Sequence, residues 1–505
     1  MYFRAGLFSL GLLLLSRVLG LARESVQAAA FGSTGMGDVV IVMFTLPDLL
    51  VGIFLSGALA YVLVPHWAQQ TSAAQRAGQK KIARSLALTG GVAGLLIWLL
   101  REVLVSALAP GLQGDMKALG ASSLVWSAVV LPLAMLAALW TTRLQHERDF
   151  VGMYAGNLVV NGILVAALLF LAGSAAKSPA TTALGLSLVA AMVARLAWLV
   201  WRLGSRRQAH VALATPISKH DDDGKDALPR VGVWLWAALS SGLLLLLPLA
   251  GRSIASQGGE GELASFNYAW KLVELPLVLA VQLVASLAFP AIARTQSDTP
   301  ERAQATHLAF LLAWALACAA IAVVATFSLQ LSGLLFGWGR MSPDKLALIA
   351  DWSAIGVWSL LPQALIAILL TVMASSQRMH IAVWAHAAGL LGLCVVSAAN
   401  VGLRGADVMW MLNAVLAGVA VMLMLSERKS VAVAFPWFGC LVPLAVCMLL
   451  TQLKPWLAGF GAPLTVIMVC VYGALVTGSA VMASPTLKNM LLGKYKGENG
   501  KPKRF

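Results

Sequence analysis

Hydrophobic residues along this chain come in long blocks separated by short polar turns. A helical block of about 20 apolar residues reaches across the hydrocarbon core of a bilayer. Fourteen blocks of that order can be drawn, near 5–31, 38–65, 85–108, 121–142, 152–173, 181–203, 231–256, 263–292, 306–335, 347–374, 381–401, 406–426, 432–452 and 461–483. The pattern predicts an all-α polytopic membrane protein with about 14 transmembrane helices. The first two blocks are unusual. They read Ser16-Arg17-Val18-Leu19-Gly20-Leu21-Ala22-Arg23-Glu24, a glycine turn from Gly32 to Gly37, then Asp38 and Leu46-Pro47-Asp48-Leu49-Leu50, closing at Val64-Pro65. Charges stand in the middle of these segments. An arginine at a helix centre costs about 2.5–3.5 kcal/mol on insertion scales, so such groups face a protein interior or a watery cavity rather than lipid.

The blocks also repeat. Leu131-Pro132-Leu133-Ala134, continuing through Ala137, Leu139 and Thr141 to Arg148, aligns with Leu361-Pro362-Gln363-Ala364, Ala367, Leu369, Thr371 and Arg378. A second echo, at nearly the same offset, pairs Leu46-Pro47 and Val64-Pro65 with Leu275-Pro276 and Phe289-Pro290. Two six-helix lobes follow, residues 1–203 and 231–426, joined by a cytoplasmic linker at 204–230. Helices 13 and 14, over 427–483, stand outside the repeat, and 484–505 form a basic cytoplasmic tail. Duplicated bundles suit a transporter in which a site between lobes is exposed to each side in turn.

Composition supports the membrane reading. Of 505 residues 60% are hydrophobic and 11% charged, with mean hydropathy +0.84, whereas a soluble chain carries about a quarter charged residues. The net charge of +15 would suit nucleic acid, but its distribution argues otherwise. With the N-terminus inside, one side holds clusters such as Arg76-Lys80-Lys81-Arg84, Arg202-Arg206-Arg207 and the tail lysines. The other holds only scattered residues such as Arg101, Lys117, Arg340 and Lys454. The positive-inside rule then puts both termini in the cytoplasm, and the basic loops meet anionic lipid headgroups rather than nucleic acid. Arg4 and the apolar run after it resemble a signal peptide, but Arg17, Arg23 and Glu24 interrupt it, so it reads as a retained first helix. Cys318, Cys394, Cys440, Cys447 and Cys470 have no CxxC spacing, which supports neither disulfides nor zinc. The run Asp221-Asp222-Asp223 lacks the glycine-shaped loop of a cation site. With no P-loop, no Gly-x-Ser-x-Gly and no His-Glu-x-x-His, the chain reads as a transporter rather than an enzyme, and no cofactor is implied. Transport would run on a coupling ion, on membrane potential or downhill on the substrate.

Arg17 and Arg23 lie six residues apart, about 120° around a straight helix, and a bend at Gly20 would let both face one cavity. Glu24 shares a face with Arg17, so the alternative is that these charges pair and cement helices together. Asp38 and Asp48 read either as helix caps or as partners of the arginines. Lys271 and Glu274, spaced i,i+3, precede Pro276, which should bend its helix. Cations on corresponding helices of two lobes suit a phosphate-bearing ligand, since arginine offers a planar fork and lysine a point charge. Arg195 and Arg252 are weaker candidates, each near enough to a predicted helix end to snorkel. His386 reads as a satisfied core histidine.

These motifs resemble a family. Ser16-Arg17-Val18-Leu19-Gly20-x-x-Arg23-Glu24, Phe31-Gly32, Asp38, Leu46-Pro47-Asp48-Leu49-Leu50, Ile53-Phe54, Gly57-Ala58 and Val64-Pro65, with Tyr268-Ala269-x-Lys271-Leu272-x-Glu274-x-Pro276, are similar to those of the MurJ/MviN lipid II flippases. The resemblance implies the two-lobed fold of the multidrug/oligosaccharidyl-lipid/polysaccharide exporter superfamily. It also implies movement of undecaprenyl-diphosphate-linked peptidoglycan precursor across the bacterial inner membrane by alternating access. Its cavity residues map onto Ser16, Arg17, Arg23 and Asp38, and onto Lys271 where the family has arginine. The two extra helices would frame a groove for the lipid tail. Val51-Gly52 stands where the family has an Arg-Arg pair, and Ser56 where it has glutamate. A flippase for another polyprenyl-linked saccharide, an exopolysaccharide or O-antigen unit, is therefore the alternative.

Overall fold

The computed structural model describes residues 2–53, 59–68, 70–172, 177–211, 231–294, 299–376, 378–399, 402–457, 459 and 461–491, and every regular element among them is helical. Packing divides the chain into two compact units. The first comprises Met1–Ala264 with Trp338–Ser342, the second Ser265–Gly337 with Pro343–Phe505. The expected linker falls partly within a helix that runs on to Val211, and 212–230, with the Asp221–Asp223 run, lie outside the described residues, as do Ser56, Gly57-Ala58 and the tail from 492. By packing, the helix following the linker groups with the first unit.

The first unit contains α1 (Tyr2–Phe31), α2 (Gly35–Ile53), α3 (Leu59–Ala68), α4 (Ser72–Leu99), α5 (Arg101–Leu108), α6 (Gly114–His146), α7 (Phe150–Ala172), α8 (Lys177–Val211) and α9 (Val231–Ser256). In lipid the hydrophobic effect does not draw helices together, so close backbone approach and dispersion must do so. Gly90 and Gly94 serve this on α4: a Cβ at Gly90 would stand 2.7 Å from Pro132 Cα, and one at Gly94 2.5 Å from the Ala128 carbonyl oxygen of α6. The core forms where α1, α2, α6, α7 and α8 meet, around Val26, Met43, Phe44, Val130, Leu164 and Leu184. Exposed Leu88, Phe170 and Trp201 face outward, as expected of sides turned to lipid.

The turn between α1 and α2 explains its glycines. Gly32 adopts φ +65°, the left-handed conformation that ends helices without a Cβ penalty, and its N–H donates to the Ala28 carbonyl at 2.7 Å. Thr34 Oγ1 then accepts from Gly37 N at 3.3 Å to open α2. The segment Trp338–Ser342 seats on the end of α1, where the Arg340 amide donates to Ala29 O and Trp338 Nε1 to Ser25 Oγ, both at 2.9 Å.

The second unit takes most of α10 (Glu262–Pro276), a π turn (Leu277–Val281), α11 (Gln282–Arg294), α12 (Pro300–Phe336), α13 (Pro343–Gly356), a 3-10 turn (Val357–Ser359) and α14 (Leu360–Ser375). There follow α15 (Met379–Ala399), α16 (Gly405–Ser426), α17 (Arg428–Ala434), α18 (Trp437–Thr451), α19 (Lys454–Leu457), α20 (Ala462–Ala483) and α21 (Pro485–Leu491). Helix α12 is its axis, packing on α11, α13, α14, α18 and α20. The bend expected at Pro276 takes the form of the π turn directly after it, because proline supplies no N–H to the carbonyl one turn back.

Among the described residues eleven helices are long and apolar enough to cross a membrane, or twelve if the bent pair Gly232–Ser240 and Gly242–Ser256 is one span. The two other expected spans coincide with α1, which carries Arg17, Arg23 and Glu24, and with α18, which has 15 residues. The chain is an all-helical, multi-span membrane protein.

Candidate functional site

Helix α1 brings its charged segment against α7, and α2 supplies the acidic partner. Arg23 Nη2 donates to Glu24 Oε1 at 2.9 Å and to Asp48 Oδ2 at 3.1 Å. Its side chain is 12% exposed, and its guanidinium lies over the Phe44 ring, 5.4 Å from the centroid. One cation thus neutralises a buried carboxylate, Glu24, and a half-exposed one, Asp48. Of the two readings open for Glu24 and Asp48, the structure realises pairing, with Arg23 rather than Arg17 as the cation.

Arg17 differs. It is exposed, and among the described residues it makes no ion pair. Ser16 beside it is buried. A positive side chain within a span, lacking a fixed counter-charge and open to its surroundings, is suited to receive an anion.

Asp38 is 1% exposed. Its Oδ2 accepts from Gly261 N at 2.6 Å and its Oδ1 from Ala264 N at 2.7 Å. The carboxylate therefore caps the first turn of α10, where unpaired amides and the helix dipole favour negative charge. Of the two readings given to Asp38, helix cap and arginine partner, this is the cap.

In the second unit Lys271 Nζ donates to Glu274 Oε2 at 2.9 Å, with side chains 28% and 39% exposed. The pair lies on the last turns of α10, one step before the π turn. Such single-turn bulges are frequent at functional sites.

Three positions change meaning. Val51 packs against the core of the first unit, and a Cβ at Gly52 would stand 2.8 Å from Leu245 Cδ1 of α9. The place where the resemblance implies an Arg-Arg pair is thus occupied by helix packing. Arg195, expected to snorkel, is 3% exposed, and its Nε and Nη2 find no hydrogen-bond partner among the described residues. The reason is that α8 runs on to Val211, well past the predicted end at 203, and the side chain lies against α7, where a Cβ at Gly156 would be 3.7 Å from Arg195 Cγ. No spacing rule exposes this, because helix length and facing helix decide it. His386 is buried, with Nδ1 donating to the Ala382 carbonyl at 2.7 Å, while its Nε2 finds no hydrogen-bond partner among the described residues, so the satisfied core histidine expected is met at one ring nitrogen only.

Comparison with known proteins places this architecture. The lipid II flippase MurJ of Burkholderia cenocepacia is 26% identical over 69% of this chain and 68% of its own length. A probable lipid II flippase MurJ from Rickettsia prowazekii is 24% identical over 73% of this chain and 72% of its own. Another from Rhizobium tropici is 28% identical over 55% of this chain, which spans about half, 53%, of that protein. The solved structure titled "Lipid II flippase MurJ, inward closed conformation" superposes with a TM-score of 0.78 over 96% of this chain and 99% of that one, at 12% identity. A multidrug resistance transporter of the MATE family in its inward-facing conformation gives 0.62 over 83% and 95%, at 14% identity. These two show a shared fold. The family model described as lipid II flippase MurJ matches residues 27–484, and the chain therefore belongs to the MurJ family.

Proposed function

We propose that this chain is a lipid II flippase of the bacterial inner membrane. It moves undecaprenyl-diphosphate-linked peptidoglycan precursor from the cytoplasmic to the periplasmic leaflet by alternating access and so serves cell-wall synthesis. Both termini lie in the cytoplasm, as the basic loops suggest. The observation that carries the reading is Arg17, an exposed cation within a span with no ion pair among the described residues. The ligand's diphosphate supplies the missing negative charge, and arginine's planar fork suits it. Arg23 and Lys271 are the further positive groups offered to it, each now held by carboxylates that an incoming phosphate can replace. Family membership supports the substrate. The driving force is a coupling ion, the membrane potential or the substrate's own gradient.

Replacing the resident flippase of a depletable strain with this chain tests the proposal. Growth that requires both Arg17 and Arg23 is the expected result. Failure to rescue, with the protein well expressed in the membrane, overturns it in favour of another polyprenyl-linked saccharide.

A further inference from the structure

Two asparagines interrupt α7 at bilayer depth. From Ala155 to Ala172 the helix is otherwise apolar, yet Asn157 and Asn161 stand in it one turn apart. Lipid offers an amide no partner, so a polar side chain at that depth turns to protein or to a watery cavity. An asparagine that glues membrane helices looks like Asn413 on α16, whose Nδ2 donates to the Ile355 carbonyl at 2.8 Å. Asn157 and Asn161 differ: both are half-buried and make no hydrogen bond among the described residues. Their place is beside the cations. Helix α7 packs along α1, and a Cβ built on Gly20 would stand 3.8 Å from Asn161 Nδ2. Gly20 lies midway between Arg17 and Arg23 in the chain, so the Asn161 amide abuts α1 between its two arginines. Asn157, four residues earlier, and Tyr154, seven earlier, fall within about 40° of Asn161 around the helix, and all three are half-buried. That face of α7 is a polar track, which a side turned to lipid would not be.

We propose that Asn157 and Asn161 form a saccharide subsite, which binds the sugar of the lipid-linked substrate next to its diphosphate. In such a ligand the first sugar is bonded directly to the diphosphate, so its hydroxyl groups arrive beside whatever holds the phosphates. A side-chain amide offers two donors and an acceptor without charge. That inventory suits a sugar, whereas phosphate oxygens favour a cation. The arginines of α1 take the charge of the headgroup, and the asparagines of α7 read its neutral part. A site built to hydrogen-bond hydroxyls rejects a ligand that lacks them, because its own polar groups are then left unpaired. The subsite thus separates a loaded carrier lipid from the bare one. It rests on the reading of the substrate as a diphosphate-linked saccharide.

The test measures binding to the full-length protein by native mass spectrometry with three probes: lipid II, the same lipid without its peptide, and bare undecaprenyl diphosphate. Thermal unfolding is recorded for each variant. Asn161→Leu keeps the shape of the side chain and removes its hydrogen bonding. It should weaken both sugar-bearing lipids about fivefold and leave undecaprenyl diphosphate unchanged. Asn157→Leu should act in the same sense, and Asn161→Gln, which keeps the amide, should restore part of the affinity. Equal weakening of all three probes assigns the asparagines to the diphosphate or to the fold, and refutes the subsite. A loss confined to the peptide-bearing lipid assigns them to the peptide and refutes it too. Unchanged binding of all three, whatever happens to the unfolding temperature, makes them packing residues and refutes it likewise. If Arg17→Ala leaves undecaprenyl diphosphate bound as before, the proposed diphosphate site itself has failed, and the subsite falls with it whatever the asparagine variants do.

Discussion

The two cationic centres are built differently. In the first unit Arg23 sits 12% exposed between Glu24 and Asp48, a network drawn from two helices with the guanidinium over the Phe44 ring. In the second, Lys271 and Glu274 pair along one face of α10, with side chains 28% and 39% exposed. A network assembled across helices in a buried place resists disruption, since removing one member strands the others. A neighbouring pair on an accessible face separates at little cost, because water or ligand replaces what is lost. The first centre should therefore register mutations in stability, and the second mainly in transport.

The largest effect expected is that of Arg23→Ala. It removes the Arg23 guanidinium from buried Glu24, and breaking a buried pair from one side costs about 3–5 kcal/mol. Thermal unfolding in detergent should show the drop, and Arg23→Ala with Glu24→Gln should recover part of it. If the single variant unfolds like the wild type, the contrast between the centres is wrong.

Asp38→Ala comes next. It removes both acceptors at the start of α10, and charge-assisted hydrogen bonds contribute about 1.5–3 kcal/mol each when buried. Asp38→Asn keeps one acceptor and should lose less. If Asp38 only caps, flipping should fall in proportion to folded protein. A loss of flipping at full stability would return it to the ligand site.

How much of this was open to sequence reading depends on the range of the interaction. The spans were legible because bilayer thickness dictates their length, and the Gly32 turn because only glycine adopts its φ cheaply. The Lys271–Glu274 pair was legible because i,i+3 spacing fixes it within one helix. The Arg23–Asp48 bridge and the Asp38 cap stood only as alternatives for each aspartate, since each joins residues that only tertiary packing brings together. The repeat shows the same limit. Pro132 lies inside the continuous α6, whereas its counterpart Pro362 follows a 3-10 turn at Val357–Ser359. Aligned Arg148 and Arg378 diverge as well. Arg378 Nη1 binds Glu427 at 2.7 Å, whereas Arg148 sits at φ 56° and its neighbour Asp149 binds Arg202. The same tie between helices is kept with the charges reversed, which an alignment of like residues cannot reveal.

Arg17→Ala should separate stability from function within the first unit. An exposed side chain with no ion pair among the described residues contributes within about 0.5 kcal/mol, so unfolding should not move while rescue of a flippase-depleted strain is lost. Equal loss of both would mean that Arg17 is bound in a way its exposure conceals.

The smallest stability change belongs to Lys271. An i,i+3 pair on an accessible face contributes about 0.2–0.5 kcal/mol, so Lys271→Ala should be nearly invisible in unfolding. Glu274, 39% exposed, then loses this ammonium partner, and solvation replaces part of the contact. Transport should respond more strongly, because the positive charge offered to a phosphate disappears with the amine. Lys271→Arg separates charge from packing, since it keeps the charge, adds a planar fork and should restore or exceed wild-type rescue. If Lys271→Ala rescues as well as the wild type, the second unit's centre carries no substrate charge, and Arg17 and Arg23 hold the diphosphate unaided.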